Sequence, residues 1–310
     1  MTFSKFKKII PFITGLFIIY FLFALYKGLT EINWREVKNS LALLDEAIIF
    51  QVGILAFLNL MTLMCFDQLA ITYIGAKVSR LRVAAVALIS YILNLNFGAI
   101  LGSVGVRYRL YSRIGVQPLK IHLIVIFSSL SNWVAYLFIF GLIILISPPI
   151  FLSMLTPSLV KLIALVGLTI SFLYLMACFK GLSFNINNSL FKLPSIKLGI
   201  AQVLLGCLQW SLQGLMIYQL FNFFNIPFGY YEVLATFLVA AIAGVLTHIP
   251  SGLGVLEAVF LSLTPQNFHP QVLASLVCFR AIFYLFPLTL ALPSYLYLET
   301  KRMFQSTNQH

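Results

Sequence analysis

The sequence predicts an all-α polytopic membrane protein built from two inverted halves, each with one glycine-broken re-entrant helical hairpin. Three observations lead to this fold class. Of the 310 residues, 61% are hydrophobic and only 9% are charged, whereas a soluble domain carries roughly 25% charged residues. Eight apolar segments follow one another along the chain, and most are near the ~20 residues that cross a bilayer. Two of these segments are interrupted by glycine.

The apolar segments form a single membrane domain over residues 1–310. They lie at about 9–26, 47–74, 83–101, 119–147, 158–179, 198–224, 232–249 and 271–298. The first follows Lys5, Lys7 and Lys8, a pattern that is also typical of a signal peptide. Because the segment is long and no small-residue cleavage site follows it, we interpret it as a retained membrane helix. Residues 32–46 show apolar residues at helical spacing among charged ones, which predicts a helix lying in the membrane interface.

The distribution of basic residues predicts the orientation. Basic clusters lie at 5–8, 77–82, 107–120 and 180–197 and again after the last segment, whereas the other connectors are neutral or slightly acidic. The positive-inside rule therefore predicts that these basic connectors and both termini lie in the cytoplasm. The net charge of +12 is accounted for by topology, so we do not expect nucleic-acid binding.

Charge also predicts the two hairpins. Segment 83–101 has basic clusters on both flanks, so both of its ends belong on the cytoplasmic side. From Val83 to Phe97 there are 15 residues, about 22 Å of helix, which is shorter than the ~30 Å hydrocarbon core. We therefore expect a hairpin that enters to mid-membrane, breaks and returns. The same reasoning predicts that 232–264 enters from the outside, with its break at 250–254.

The order of segments predicts an internal repeat with halves at about 1–150 and 151–310. The last four segments follow the first four at a shift close to 150 residues, and a Val104-Gly105-Val106 triplet recurs as Leu253-Gly254-Val255, 149 residues later. By the charge rule, corresponding segments run in opposite directions. Two inverted halves with paired broken segments are typical of transporter folds, whose sites lie at the repeat interface.

The first broken segment carries candidate site residues. Its backbone breaks are Gly98, Gly102 and Gly105, and its amide side chains are Asn94 and Asn96. A helix that restarts after the break would place Arg107 and Arg109 in its first turns. Such an N-terminus favours anions, and guanidinium groups suit phosphate. The alternative is a glycine packing face followed by arginines that only set topology.

The second broken segment carries an ionisable pair. Its breaks are Pro250, Gly252 and Gly254. Glu257 follows in the first turn of an apolar helix, and Arg280, inside the last segment, is its natural partner. An ionisable residue within a membrane segment is costly and is a functional candidate by default. A purely structural pair is the alternative, and His248 either titrates near neutrality or hydrogen-bonds within the bundle.

Other reactive side chains give weaker signals. Asp67 lies near the end of its segment, where we expect it to pair with Lys77 or Arg80 close to the cytoplasmic surface. The four cysteines occur singly within apolar runs, without metal-ligand spacing. We therefore predict buried thiols, no metal site and no cofactor.

Three stretches, 105–113, 248–260 and 280–288, together resemble the membrane region of the lysylphosphatidylglycerol synthase/flippase family (multiple peptide resistance factor), and most of all its short stand-alone YbhN-like bacterial inner-membrane members. The resemblance implies movement of aminoacylated anionic phospholipid between leaflets. In the long members a separate C-terminal domain makes the lipid. Because the sequence ends at His310, soon after the last apolar segment, we expect no synthase activity.

Several functions fit these observations. The leading hypothesis is a phospholipid translocator of the bacterial inner membrane, in which the arginines guide a phosphate past a seam lined by Asn94, Asn96 and Glu257. The alternatives are a transporter of another anionic or polyprenyl-linked solute and a non-transport partner of a lipid-synthesising enzyme. A membrane-embedded enzyme is the least favoured, because the sequence lacks an acid–base or metal set. The sequence leaves a homo-oligomer open.

Overall fold

The computed structural model describes residues 34–148, 156–186, 189–247 and 252–307. The elements up to residue 148 are α1 (Trp34–Leu43), α2 (Glu46–Ile74), α3 (Arg80–Phe97), a π-helical segment π1 (Ala99–Gly105), α4 (Val106–Arg113) and α5 (Pro118–Ile146). Those that follow are α6 (Pro157–Phe179), β1 (Ser183–Ile186), β2 (Ser189–Lys192), α7 (Ile196–Phe223), α8 (Tyr230–Thr247), α9 (Val255–Leu263), a 3₁₀ turn (Gln266–Phe268), α10 (His269–Arg280), the π-helical segment π2 (Ala281–Leu285) and α11 (Phe286–Thr307).

The described residues contain seven helical spans long and apolar enough to cross a membrane. These spans coincide with seven of the eight predicted segments, which confirms an all-α polytopic membrane protein. The remaining predicted segment, 9–26, lies outside the described residues. Helices form here because hydrocarbon offers no hydrogen-bond partners, so each backbone N–H and C=O must be satisfied within its own segment.

The structure adds one element that the sequence did not predict. In the basic connector between α6 and α7, β1 and β2 pair antiparallel, with Ser183 opposite Lys192. Each strand has only four residues.

The predicted helix within residues 32–46 is confirmed as α1. Its Val37 is buried against Leu273 and Ala274 of α10, while Trp34 is exposed. The helix thus packs on the last membrane span; its placement at the membrane interface stays a prediction.

Helices α2 and α7 pack against each other through the centre of the bundle. A hydrogen bond crosses this contact, from Asn59 Nδ2 to the main-chain oxygen of Gln209 (2.6 Å). The two residues are 150 positions apart, which is the shift of the predicted repeat. The inverted repeat itself, with halves at about 1–150 and 151–310, stays a prediction. The two re-entrant hairpins, 83–101 and 232–264, also stay predictions.

Candidate functional site

The first broken segment turns sharply after α3. Gly98 ends α3 with φ 81°, a left-handed backbone conformation that favours glycine, and its N–H donates to the main-chain oxygen of Asn94 (2.9 Å). The π1 segment then runs back along α3, so that Gly102 lies against the backbone of Leu93 with no room for a Cβ atom. This close approach brings α4, and with it Arg107, against α2 and α5.

Arg107 forms a buried ion pair with Asp67 of α2. Arg107 Nε donates to Asp67 Oδ2 (3.0 Å) and Nη2 donates to Oδ1 (2.9 Å). The two side chains are 1% and 0% exposed, respectively. This bidentate geometry is among the strongest that a carboxylate and a guanidinium adopt.

Neighbouring side chains complete the hydrogen bonding of this pair. Tyr111 Oη donates to Asp67 Oδ2 (2.8 Å), and Ser128 Oγ donates to Oδ1 (3.0 Å). Arg107 Nη1 donates to Ser103 Oγ, and the guanidinium carbon lies 4.3 Å from the centre of the Tyr91 ring. The carboxylate therefore accepts four hydrogen bonds, which is about its full capacity.

This cluster corrects the predicted partner of Asp67 and bears on the predicted role of Arg107 in phosphate binding. The expected pairing of Asp67 with Lys77 or Arg80 is wrong, because the turn after α3 brings Arg107 to the Asp67 carboxylate, which is fully buried. Arg107 is engaged by this carboxylate, so a phosphate would have to displace Asp67 to reach it. Arg109, two residues along α4, is exposed, as expected for positions that do not share a helix face.

The second break ends in a capped helix. Gly252 and Gly254 have φ of 55° and 79°, and Gly254 precedes α9. The N–H of Gly254 donates to Glu257 Oε2 (2.9 Å), so the side chain of the third helical residue satisfies a free amide at the helix start. The candidates His248 and Pro250 lie outside the described residues.

The predicted pair of Glu257 and Arg280 is confirmed. Arg280 Nε donates to Glu257 Oε1 (2.6 Å), and Nη2 donates to Oε2 (3.1 Å). Nη2 also donates to the main-chain oxygen of Gly252 (3.0 Å). The Arg280 and Glu257 side chains remain 11% and 12% exposed, so this pair is less completely buried than the first.

Asn96 connects the first broken segment to the neighbourhood of the second pair. Its Nδ2 donates to the main-chain oxygens of Ile92 (2.9 Å) and Tyr284 (3.2 Å). The Tyr284 ring in turn lies 5.5 Å from the guanidinium carbon of Arg280. Asn94 and Gly105 belong to the structure of the break rather than to either ion pair.

Each arginine lies next to a π-helical segment. Arg107 follows π1 by two residues, and Arg280 immediately precedes π2. Such wide helical turns occur frequently at functional sites.

Sequence reasoning missed Asp67, Tyr111 and Ser128 as members of the first cluster. One available signal was the spacing of Ser103, Arg107 and Tyr111, which recur every four residues and so form a polar stripe on one helix face.

Comparison with known proteins gives concordant matches over nearly the whole chain. Residues 9–291 match the family described as "Lysylphosphatidylglycerol synthase TM region". The chain is 32% identical over 301 residues to the inner membrane protein YbhN of Escherichia coli (strain K12), covering 95% of this chain and 93% of that protein. It is also 30% identical over 298 residues to an uncharacterized protein of Synechocystis sp. (strain ATCC 27184 / PCC 6803 / Kazusa), covering 92% of this chain and 90% of that protein.

Proposed function

Because the chain belongs to the lysylphosphatidylglycerol synthase membrane-region family, we propose that it is a non-enzymatic, flippase-like translocator. It moves phospholipid with an anionic or aminoacylated head group between the leaflets of a bacterial inner membrane, with both of its termini in the cytoplasm. One observation carries the proposal: the ion pair of Glu257 with Arg280, whose side chains keep 12% and 11% exposure, lies at a backbone break within a bundle of membrane spans.

The chemistry of this pair suits a phosphate that passes in steps. Arg280 Nη2 donates to both Glu257 and the main-chain oxygen of Gly252, so a phosphate oxygen competes with two acceptors already held at hydrogen-bond distance. Bidentate guanidinium–phosphate contacts are strong, and Glu257 recaptures Arg280 when the phosphate leaves. The exchange keeps the charge of Arg280 paired at each stage, which matters where water is scarce.

The arrangement of the helices supports the proposal at the level of architecture. Helices α2 and α7 have 29 and 28 residues, α3 and α8 both have 18, and each of the latter is followed by a break and a short helix. The Asn59–Gln209 contact joins residues that are 150 positions apart. Transporters built from two inverted halves place their sites at such breaks and move one half against the other.

The test is a reconstituted lipid-movement assay. Purified protein in liposomes should equilibrate fluorescently labelled phosphatidylglycerol between leaflets, measured by quenching of the label in the outer leaflet. Labelled phosphatidylethanolamine and lysylphosphatidylglycerol should be compared in parallel. Glu257→Ala and Arg280→Ala should each slow the movement.

Four outcomes would contradict the proposal at different levels. Wild-type protein that moves none of these lipids would overturn translocation, and uptake of a soluble anion instead would favour the solute transporter. Wild-type rates in both variants would remove Glu257 and Arg280 from the mechanism. Movement that requires an added lipid-synthesising enzyme would favour the role of a membrane partner.

A further inference from the structure

An apolar groove of about 520 Å³ lies between α2, α3 and α11, and none of the four ion-pair residues lines it. Its lining is hydrocarbon apart from a few positions that include Ser294 and Tyr297 on α11. Residues from all three helices form its walls, among them Ala56, Leu60, Ala85, Ile92, Phe286 and Ala291.

The groove has a buried floor and an exposed rim. Ala56, Ile92 and Ala291 at the floor are buried, whereas Phe57 and Phe286 at the rim are 59% and 64% exposed. Since α2, α3 and α11 all belong to membrane spans, this rim faces the hydrocarbon of the bilayer rather than water. The groove is therefore open sideways to lipid.

Two features of the sequence create this space. Alanines line the groove at positions 56, 85 and 291, where larger side chains would fill its volume. Pro287 lies in the first turn of α11 directly after π2, and a proline without an N–H next to a wide helical turn disturbs regular packing of the helix. The groove therefore results from small side chains on all three helices together with the proline next to π2, rather than from a single small residue.

The groove extends along the helix direction. Its lining on the last span runs from Ile282 to Leu298, which corresponds to about 24 Å of helix. This is a large part of the ~30 Å hydrocarbon core. An occupant that follows the helices over this distance has the shape of an extended acyl chain.

One end of the groove is basic. Arg82 precedes the lining residue Ala85 by three positions, which places both on one face of α3. Arg113 Nη1 donates to the main-chain oxygen of Leu298 (2.9 Å), the lining residue at the same end. The positive-inside rule assigns this end to the cytoplasmic leaflet, where the phosphate of a lipid would meet the two arginines.

We propose that this groove binds one acyl chain of an anionic glycerophospholipid, with its phosphate at Arg82 and Arg113. Insofar as this lipid is the one that is moved, the inference rests on the proposed function. The proposal places the site where lipid docks from the cytoplasmic leaflet on the face formed by α2, α3 and α11. The π2 segment joins this face to Arg280, because it contributes the lining residue Ile282 and directly follows Arg280.

The test is photo-labelling of the full chain in vesicles that contain phosphatidylglycerol with a diazirine on one acyl chain. Mass spectrometry should find the label concentrated on α2, α3 and α11 relative to the exposed face of α6, which includes Leu165 and Leu173. Ala291→Trp should remove the excess label, and Ala85→Phe, at the more exposed wall, provides a second groove-filling variant. Leu165→Trp on α6 is the matched control and should leave the labelling unchanged.

The basic end is tested by lipid competition. In the Arg82→Gln/Arg113→Gln double variant, unlabelled phosphatidylglycerol should lose its advantage over phosphatidylcholine in competing for the groove. Equal competition by the two lipids in the wild type would overturn the assignment of an anionic head group.

Two results would overturn the acyl-chain site. One is label spread evenly over all lipid-facing helices and unaffected by either filling variant. The other is a Leu290→Cys variant whose thiol cross-links to cysteines introduced within residues 9–26 and takes up no lipid label. That result would identify the first apolar segment as the occupant of the groove. The protein could carry label that is concentrated on the groove and lost in the filling variants, and yet move no lipid. That result would support the acyl-chain site and would contradict only the proposed function.

Discussion

The two buried ion pairs differ in how completely they are satisfied. Asp67 accepts four hydrogen bonds from Arg107, Tyr111 and Ser128, and both members of the pair are sealed from solvent. Glu257 accepts three, two from Arg280 and one from the backbone of Gly254, and the side chains of its pair keep 11% and 12% exposure. The second pair is therefore the one that we propose for phosphate binding.

The two pairs also differ in the charge of the member that follows the backbone break. The short helix after the first break supplies the cation, Arg107, whereas the short helix after the second break supplies the anion, Glu257. The partner comes from α2 in the first case and from α10 in the second. In both places a short helix follows the break, but only the second pair keeps any appreciable exposure. We therefore propose a structural role for the first pair and a functional role for the second.

The largest expected effect is on stability when the first pair is broken. Asp67→Asn or Arg107→Met leaves an uncompensated buried group, which typically costs about 3–5 kcal/mol. We expect a large fall in the thermal unfolding temperature of the detergent-purified protein. Ser128→Ala is the control, since removing one neutral donor costs about 1 kcal/mol.

Replacing the whole first pair should reverse most of that loss. In the Asp67→Leu/Arg107→Met double variant neither charge remains, and apolar replacements of buried pairs are often neutral or stabilising. Thermal unfolding should place this double variant well above Arg107→Met. Recovery will be incomplete because Tyr111 and Ser128 lose their acceptor. A double variant no more stable than Arg107→Met would mean that the charges themselves hold the hairpin.

Gly102→Ala tests the turn that brings the first pair together. A methyl group there overlaps the backbone of Leu93, and overpacking of this kind costs about 1–3 kcal/mol. Gly53→Ala, where a methyl group meets nothing within 4 Å, is the matched control for stability. Equal unfolding temperatures for the two variants would show that the close approach does not support the fold.

The smallest expected effect concerns the connection between the two sites. Asn96→Leu removes the hydrogen bonds from Asn96 to the main-chain oxygens of Ile92 and Tyr284. Only the bond to Tyr284 joins the first broken segment to the last span, and its loss is worth about 1 kcal/mol. Lipid movement should therefore slow by about fivefold. Thr289→Ala on α11, which removes only a bond within its own helix, is the control. Movement at the wild-type rate in Asn96→Leu would show that the hairpin and the second pair act independently.

The sequence predicted the spans well because each span is one long apolar run, and the bilayer leaves such a run few alternatives to a helix. It also predicted the Glu257–Arg280 pair, since an isolated acid in an apolar segment needs a cation and Arg280 was the one available within the neighbouring segments. Both inferences depend on properties that are local or nearly so.

The first pair was not predictable in the same way. Asp67 and Arg107 are 40 residues apart, and their contact depends on the turn at Gly98 and on the packing of Gly102 against Leu93. Charge patterning placed Asp67 near Lys77 and Arg80 because those residues are close in sequence. The groove was likewise out of reach, since it arises from the relative placement of three helices.

The most direct test of whether Glu257 and Arg280 act in lipid movement is to replace each ion pair by apolar residues. Lipid movement is then measured in liposomes that contain equal amounts of folded protein. Asp67→Leu/Arg107→Met should move lipid at close to the wild-type rate. Glu257→Leu/Arg280→Met should lose at least one charge-assisted contact to phosphate, worth about 1.5–3 kcal/mol, and so slow by roughly tenfold or more. Equal loss of movement in both variants, or none in the second, would contradict the assignment of function to Glu257 and Arg280.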